Sequence, residues 1–166
     1  MTAALFSRGK ASRAAAAACA VTLGLIALTA CDKPTPVATV TVGSHSETSE
    51  ATKGCYTEGK RLDDKTVDKC LDKKPSETIT VHAGEKIRIG VDPEIADSGW
   101  ILLSGRNQIS DASTDTYRTF DHEDLFQVRN QMGQLEQRDE IVLSIVELPK
   151  QGAPKGMWQY QLKLKS

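Results

Sequence analysis

Apolar residues along the chain recur in three different rhythms. From Ala14 to Ala30 they are unbroken, AAAAACAVTLGLIALTA. Between Asp63 and Pro75 they fall at helical spacing: Val67, Cys70 and Leu71 share a face, Asp63 or Asp64 can cap the start, and Pro75 blocks continuation. Elsewhere the period is two, the spacing of a strand with one buried face. ATVTVG puts Ala38, Val40 and Val42 on one side and predicts a first strand over 37–42, the other reading being one tether from 32 to 54. GSHSETSEATKG, 43–54, has no apolar alternation and reads as an exposed loop.

The strand rhythm dominates from Thr78 onward. TITV and KIRIGV are strands joined by a turn at Ala83-Gly84-Glu85, DPEIADSG is a loop, and WILLS is a strand ending at the Gly105-Arg106-Asn107 turn. YRTF, 117–120, is a short strand. EIVLSIVEL is apolar on both faces, as a central strand should be. After the KQGAPKG turn, MWQYQLKLK places Trp158, Tyr160, Leu162 and Leu164 on one face. Residues 121–139 fit a helical turn plus a loop and are left open. About seven short strands punctuated by turns predict an all-β chain, an antiparallel immunoglobulin-like β-sandwich with one short disulfide-stapled helix.

The unbroken run has a different meaning. Arg8, Lys10 and Arg13 precede it without an acidic partner, and small residues end it, which is the plan of a secretory signal peptide over 1–30. Read as a transmembrane span, the run lies at the lower limit of length and is rich in weakly hydrophobic alanine. Leu28-Thr29-Ala30-Cys31 closely resembles the lipobox of bacterial lipoproteins, in which the cysteine thiol receives a diacylglycerol and a peptidase cuts just before it. The resemblance implies that Cys31 is the lipid attachment point, with palmitate or another acyl chain. It places the protein on the extracytoplasmic face of the cell membrane, with 31–36 as a lipidated tether and 37–166 as the folded domain. Two acyl chains, at about 0.8 kcal/mol per buried methylene, hold durably where one holds marginally. Asp32 resembles the inner-membrane retention signal of Gram-negative lipoproteins; in a single-membrane bacterium, the case the alanine-rich leader favours, it carries no such meaning.

Charge narrows the partners. The formal charge of −1 for 166 residues becomes −4 once the three basic leader residues are removed, leaving 136 residues. Such a domain has no electrostatic footprint for nucleic acid and is long enough for one core, so a monomer is expected. Cys19 leaves with the leader, Cys31 carries lipid, and an exported domain with Cys55 and Cys70 remaining most simply forms one disulfide. Closing that loop stabilises by about 3 kcal/mol in the chain-entropy model.

Catalytic chemistry finds little support. His45, His82 and His122 have no common ligand spacing, and Asp121, Glu123 and Asp124 do not follow a calcium loop, so no metal or cofactor is expected. There is no G-x-S-x-G and no glycine-rich phosphate loop leading into a helix. Trp100, Trp158 and Tyr160 lie within apolar alternation and read as core. The candidate contact surface is the loop from Asp92 to Gly99, which Pro93 stiffens and in which Ile95 sets an apolar side chain among polar ones.

Taken whole, LTACDKPTP, ATVTVG, the Cys55/Cys70 segment, TITVHAGEKIRIGVDPEIADSGW, TYRTF, IVE and GMWQYQLKL resemble a family of small actinobacterial lipoproteins to which no activity attaches. Gly84-Glu85-Lys86-Ile87 followed by DPEIADSGW is similar to chagasin-type immunoglobulin-like inhibitors of cysteine proteases. Those carry G-E-x-I, an Asn-Pro-Thr-Thr-Gly loop and an aromatic residue, matched here by Pro93, Gly99 and Trp100. The Thr-Thr pair is absent, and VELPKQGAPKG stands where that family has Arg-Pro-Trp. The expected function is a non-catalytic, membrane-anchored binding module with a protein partner in the envelope. The alternatives are a chagasin-like inhibitor and a structural or assembly component of the envelope.

Overall fold

Alternating side chains become strands wherever one face can be buried, and the computed structural model, which describes residues 35–129, 132–149 and 152–165, shows where those faces meet. The leader, the Leu28–Cys31 motif and Asp32 lie outside the described residues. A compact unit spans Thr35–Ser166.

Two sheets carry the fold. In the first, β1 (Val37–Val42) lies between β2 (His45–Glu50) and β4 (Lys86–Val91), and β7 (Tyr117–Asp121) closes the far edge. The second has the order β3 (Thr78–His82), β11 (Gly156–Lys165), β10 (Glu140–Glu147), β5 (Trp100–Ser104) and β6 (Asn107–Gln108). A small hairpin pairs β8 (Gln127–Arg129) with β9 (Leu135–Gln137). Three short helices join the strands among the described residues: α1 (Asp64–Leu71), α2 (Pro93–Ser98) and α3 (His122–Phe126).

The chain is therefore mostly β, as the alternation predicts. Ala38, Val40, Val42, Ile87, Ile89 and Phe120 from the first sheet share one core with Ile79, Leu102, Leu143, Ile145, Trp158, Tyr160 and Leu162 from the second. Both tryptophans are fully buried with their indole N–H groups satisfied: Trp100 Nε1 donates to Asp115 O at 2.8 Å and Trp158 Nε1 to Pro36 O at 2.9 Å. Tyr160 donates its hydroxyl to Ala38 O and accepts from Ser49 Oγ at 3.0 Å. Burial is the main cause that pushes the Tyr160 pKa above 10.0.

β10 is apolar on both faces because both are covered. Ile141, Leu143 and Ile145 face the main core, while Val146 pairs with Met157 and Ile101 on the opposite side. There a second cluster joins Cys55 and Cys70 to Ile101, Val146 and Met157, with Val67 and Leu71 of α1 packed on it. The Cys55–Cys70 disulfide, with Cα atoms 5.9 Å apart, staples α1 onto the outside of the second sheet. Asp63 caps α1, accepting from Thr66 N at 3.0 Å and Thr66 Oγ1 at 2.7 Å.

Three expectations need correction, and the segment left open, 121–139, takes on structure. The segment 43–54 is not all loop: β2 pairs with β1 over its whole length, through a two-residue turn in which Gly43 has φ 58°. As an edge strand with one neighbour, β2 needs no apolar alternation. The segment 92–99 contains the helix α2, and 121–139 contains α3 and the β8–β9 hairpin. The second sheet is mixed rather than antiparallel, because β3 runs parallel to β11. Strands so distant in sequence have no hairpin to impose direction on their pairing.

Candidate functional site

The 92–99 segment sits at the end of the domain where β4 stops and β5 starts. Pro93 occupies the first turn of α2, where its missing N–H costs nothing. Asp92 does not cap the helix; its carboxylate accepts Val37 N–H at 2.8 Å, and its own N–H donates to Val37 O at 3.1 Å. Ile95 is 0 % exposed and Ala96 2 %, both within the main core. The expectation that Ile95 offers an apolar contact to a partner is thus overturned: a helical turn, not an extended loop, points it inward. Pro93, Glu94 and Asp97 are the exposed residues of this segment.

Gly99 ends the helix with φ 94°, a conformation that favours glycine, and a Cβ there would lie 3.2 Å from Leu148 O. Leu148 N–H donates to Gly99 O at 2.9 Å, so the β10–β11 connection lies directly beside α2. Lys155 ties the two together: its Nζ is 3.0 Å from Ser98 Oγ and 3.5 Å from the carboxylate of Glu147, whose side chain is 3 % exposed. The sequence carries only a faint signal for this pair, an acidic residue closing a largely apolar strand.

Arg118, on β7, is a second feature missed from sequence. Its guanidinium lies 4.9 Å from the Phe120 ring centroid and 5.9 Å from that of Trp100, and Nη1 donates to Asp111 O at 3.1 Å. Arginine so placed seals the side of the core between β7 and the 109–111 segment. A hollow beside the disulfide segment is lined by Glu50, Lys73, Lys74 and Gln159. Gln159 donates to Ser144 Oγ at 3.2 Å, and its buried Oε1 has no hydrogen-bond partner.

The histidines stand apart, each beside a glutamate: His45 with Glu47 at 2.9 Å, His82 with Glu85 at 3.3 Å and His122 with Glu123 at 2.8 Å. His122 Nδ1 also lies 3.2 Å from Gly84 N, so the ring accepts from Gly84 or donates to Glu123 but cannot do both. The Glu85 pKa is lowered, chiefly by the His82 backbone N–H, and Lys86 is raised by its hydrogen bond to Asp121. Among the described residues no group of three or more His, Cys, Asp or Glu gathers to hold a metal ion. No helix among them is long and apolar enough to cross a membrane. Compared with known protein families, curated proteins and solved structures, the chain finds no match.

Proposed function

We propose that the chain is a lipoprotein anchored through Cys31 on the outer face of the cytoplasmic membrane, where its domain acts as a non-catalytic binding module of immunoglobulin-like kind. The observation that carries this is the Leu28-Thr29-Ala30-Cys31 motif closing an apolar run behind a basic leader. The Cys55–Cys70 bridge supports an oxidising, extracytoplasmic setting. The two packed sheets with a shared core support the immunoglobulin-like assignment, while the parallel β3–β11 pair departs from the simplest form of it.

Replacing Cys31 with alanine should leave uncleaved precursor and abolish labelling by a fatty-acid probe. A variant processed and labelled like the parent would sink the anchoring. Crosslinking of the anchored protein in living cells tests the binding role: a specific captured protein is expected, and capture of none refutes it. A chagasin-like inhibitor is the second reading, favoured by the contact between the 92–99 segment and the β10–β11 connection. Tight inhibition of a papain-like protease by the purified domain would promote it.

A further inference from the structure

The direction of the strands gives the domain two distinct ends. At one end lie the start of β1, α2, the start of β5, the start of β7 and the connection from β10 to β11. At the other lie the Gly43-Ser44, Ala83–Glu85 and Gly105-Arg106 turns, α3 and the β8–β9 hairpin. The chain enters at the first end and is held there firmly. Pro36 O accepts from Trp158 Nε1, Val37 N–H donates to Asp92, and Val37 O accepts from Asp92 N–H.

Cys31 precedes Pro36 by five positions. Five residues span at most about 17 Å, at roughly 3.5 Å each. The six residues of β1 alone place the second end about 20 Å further away, and the ten of β11 extend over about 33 Å. The tether is therefore too short to fold back along the sheets and bring the second end to the lipid.

We propose that the end bearing α2 and the β10–β11 connection rests on the bilayer and that the opposite end is presented away from it. The proposal rests on lipid attachment at Cys31. An independent feature favours the same orientation. Tyr117, the first residue of β7 and 54 % exposed, stands at the rim of the first end, and tyrosine is at home at a membrane–water interface. Charge is not what holds the contact: Glu94, Asp97 and Asp115, all exposed near this end, would be repelled by anionic lipid. Two consequences follow. The Asp92–Gly99 segment faces lipid headgroups rather than a soluble partner. The β8–β9 hairpin, with Met132 80 % and Leu135 60 % exposed, lies at the end that an envelope protein can reach.

The test uses the full chain, processed in a bacterial host with a fatty-acid probe and reconstituted into phosphatidylcholine vesicles whose headgroups carry a nitroxide quencher. A fluorophore is placed at Asp97→Cys or Thr114→Cys near the first end, and at Ser44→Cys or Asn107→Cys near the second. All four positions are exposed, and thermal melting of each labelled variant checks that the domain is folded. Quenching should be severalfold stronger at 97 and 114 than at 44 and 107. Equal quenching at both ends means the domain lies flat, and stronger quenching at 44 and 107 means it is inverted; either overturns the proposal while leaving the anchor standing. Protein that takes no fatty-acid probe and does not stay with the vesicles shows instead that the anchor has failed, and the orientation falls with it.

Discussion

At the residue scale, the positions that matter most are those whose environment differs from what their neighbours in sequence suggest. Ile95 stands between acidic residues in DPEIADS yet is fully buried. Ile95→Ala should cost about 2–5 kcal/mol in urea unfolding, the usual range for emptying a core site. A loss near zero would mean the side chain does not pack as described. Tyr160 offers a pH test. Its pKa is raised by burial, so the folded state keeps the phenol proton to higher pH than the unfolded chain does. The stability contribution is therefore complete below pH 10 and declines as pH rises beyond it. Tyr160→Phe should lower stability by about 1 kcal/mol at neutral pH, through the lost hydrogen bond to Ala38 O, and should flatten the alkaline decline. A decline above pH 10 equally steep in the variant would assign it to other groups. Asp63 has the opposite sign. Hydrogen bonds from Thr66 lower its pKa, so its cap is present above the ordinary carboxylate value and is lost as pH falls through the folded one.

At the element scale, the disulfide segment and the second sheet depend on each other. The outer cluster of Cys55, Cys70, Ile101, Val146 and Met157, with Val67 and Leu71 packed on it, joins α1 to β5, β10 and β11. Replacing Cys55 and Cys70 together with alanine should lower stability by about 3 kcal/mol, and circular dichroism should keep its strand signal, because the main core lies on the other face. Loss of the strand signal as well would show that the staple is needed for the sheets themselves. The helix was legible in advance because Asp63, the Val67–Cys70–Leu71 face and Pro75 agree on it locally. α2 was not, because its only apolar pair, Ile95 and Ala96, are adjacent and show no period. β2 was hidden for a related reason: its register with β1 comes from the Gly43-Ser44 turn, backbone pairing and the hydroxyl pairs Thr39–Thr48 and Thr41–Ser46, none of which shows as an apolar period.

At the scale of the whole molecule, the two sheets and their single shared core predict a strand-dominated far-UV circular dichroism spectrum for the domain. A helix content above about one third, the level of an average globular protein, would contradict the fold. The short entry of the chain at Pro36 matters at this scale too, because it would decide which end of the domain a lipid on Cys31 holds down.

Alternation predicted β1, β3, β4 and β11, continuous apolar runs predicted β5 and β10, the short YRTF segment predicted β7, and Trp100, Trp158 and Tyr160 read as core. One buried face imposes period two on any strand whatever its partners, so the pattern survives without knowledge of the fold. The pairing of Cys55 with Cys70 was likewise legible, since the expected loss of Cys19 and lipidation of Cys31 leave two cysteines for one bridge. Tertiary structure alone decided that β3 runs parallel to β11, that β2 is a strand, that Ile95 is buried, and that Glu147 meets Lys155. Each of these depends on what a residue meets across the sheets, and a linear pattern records how often a side chain is buried but not against what.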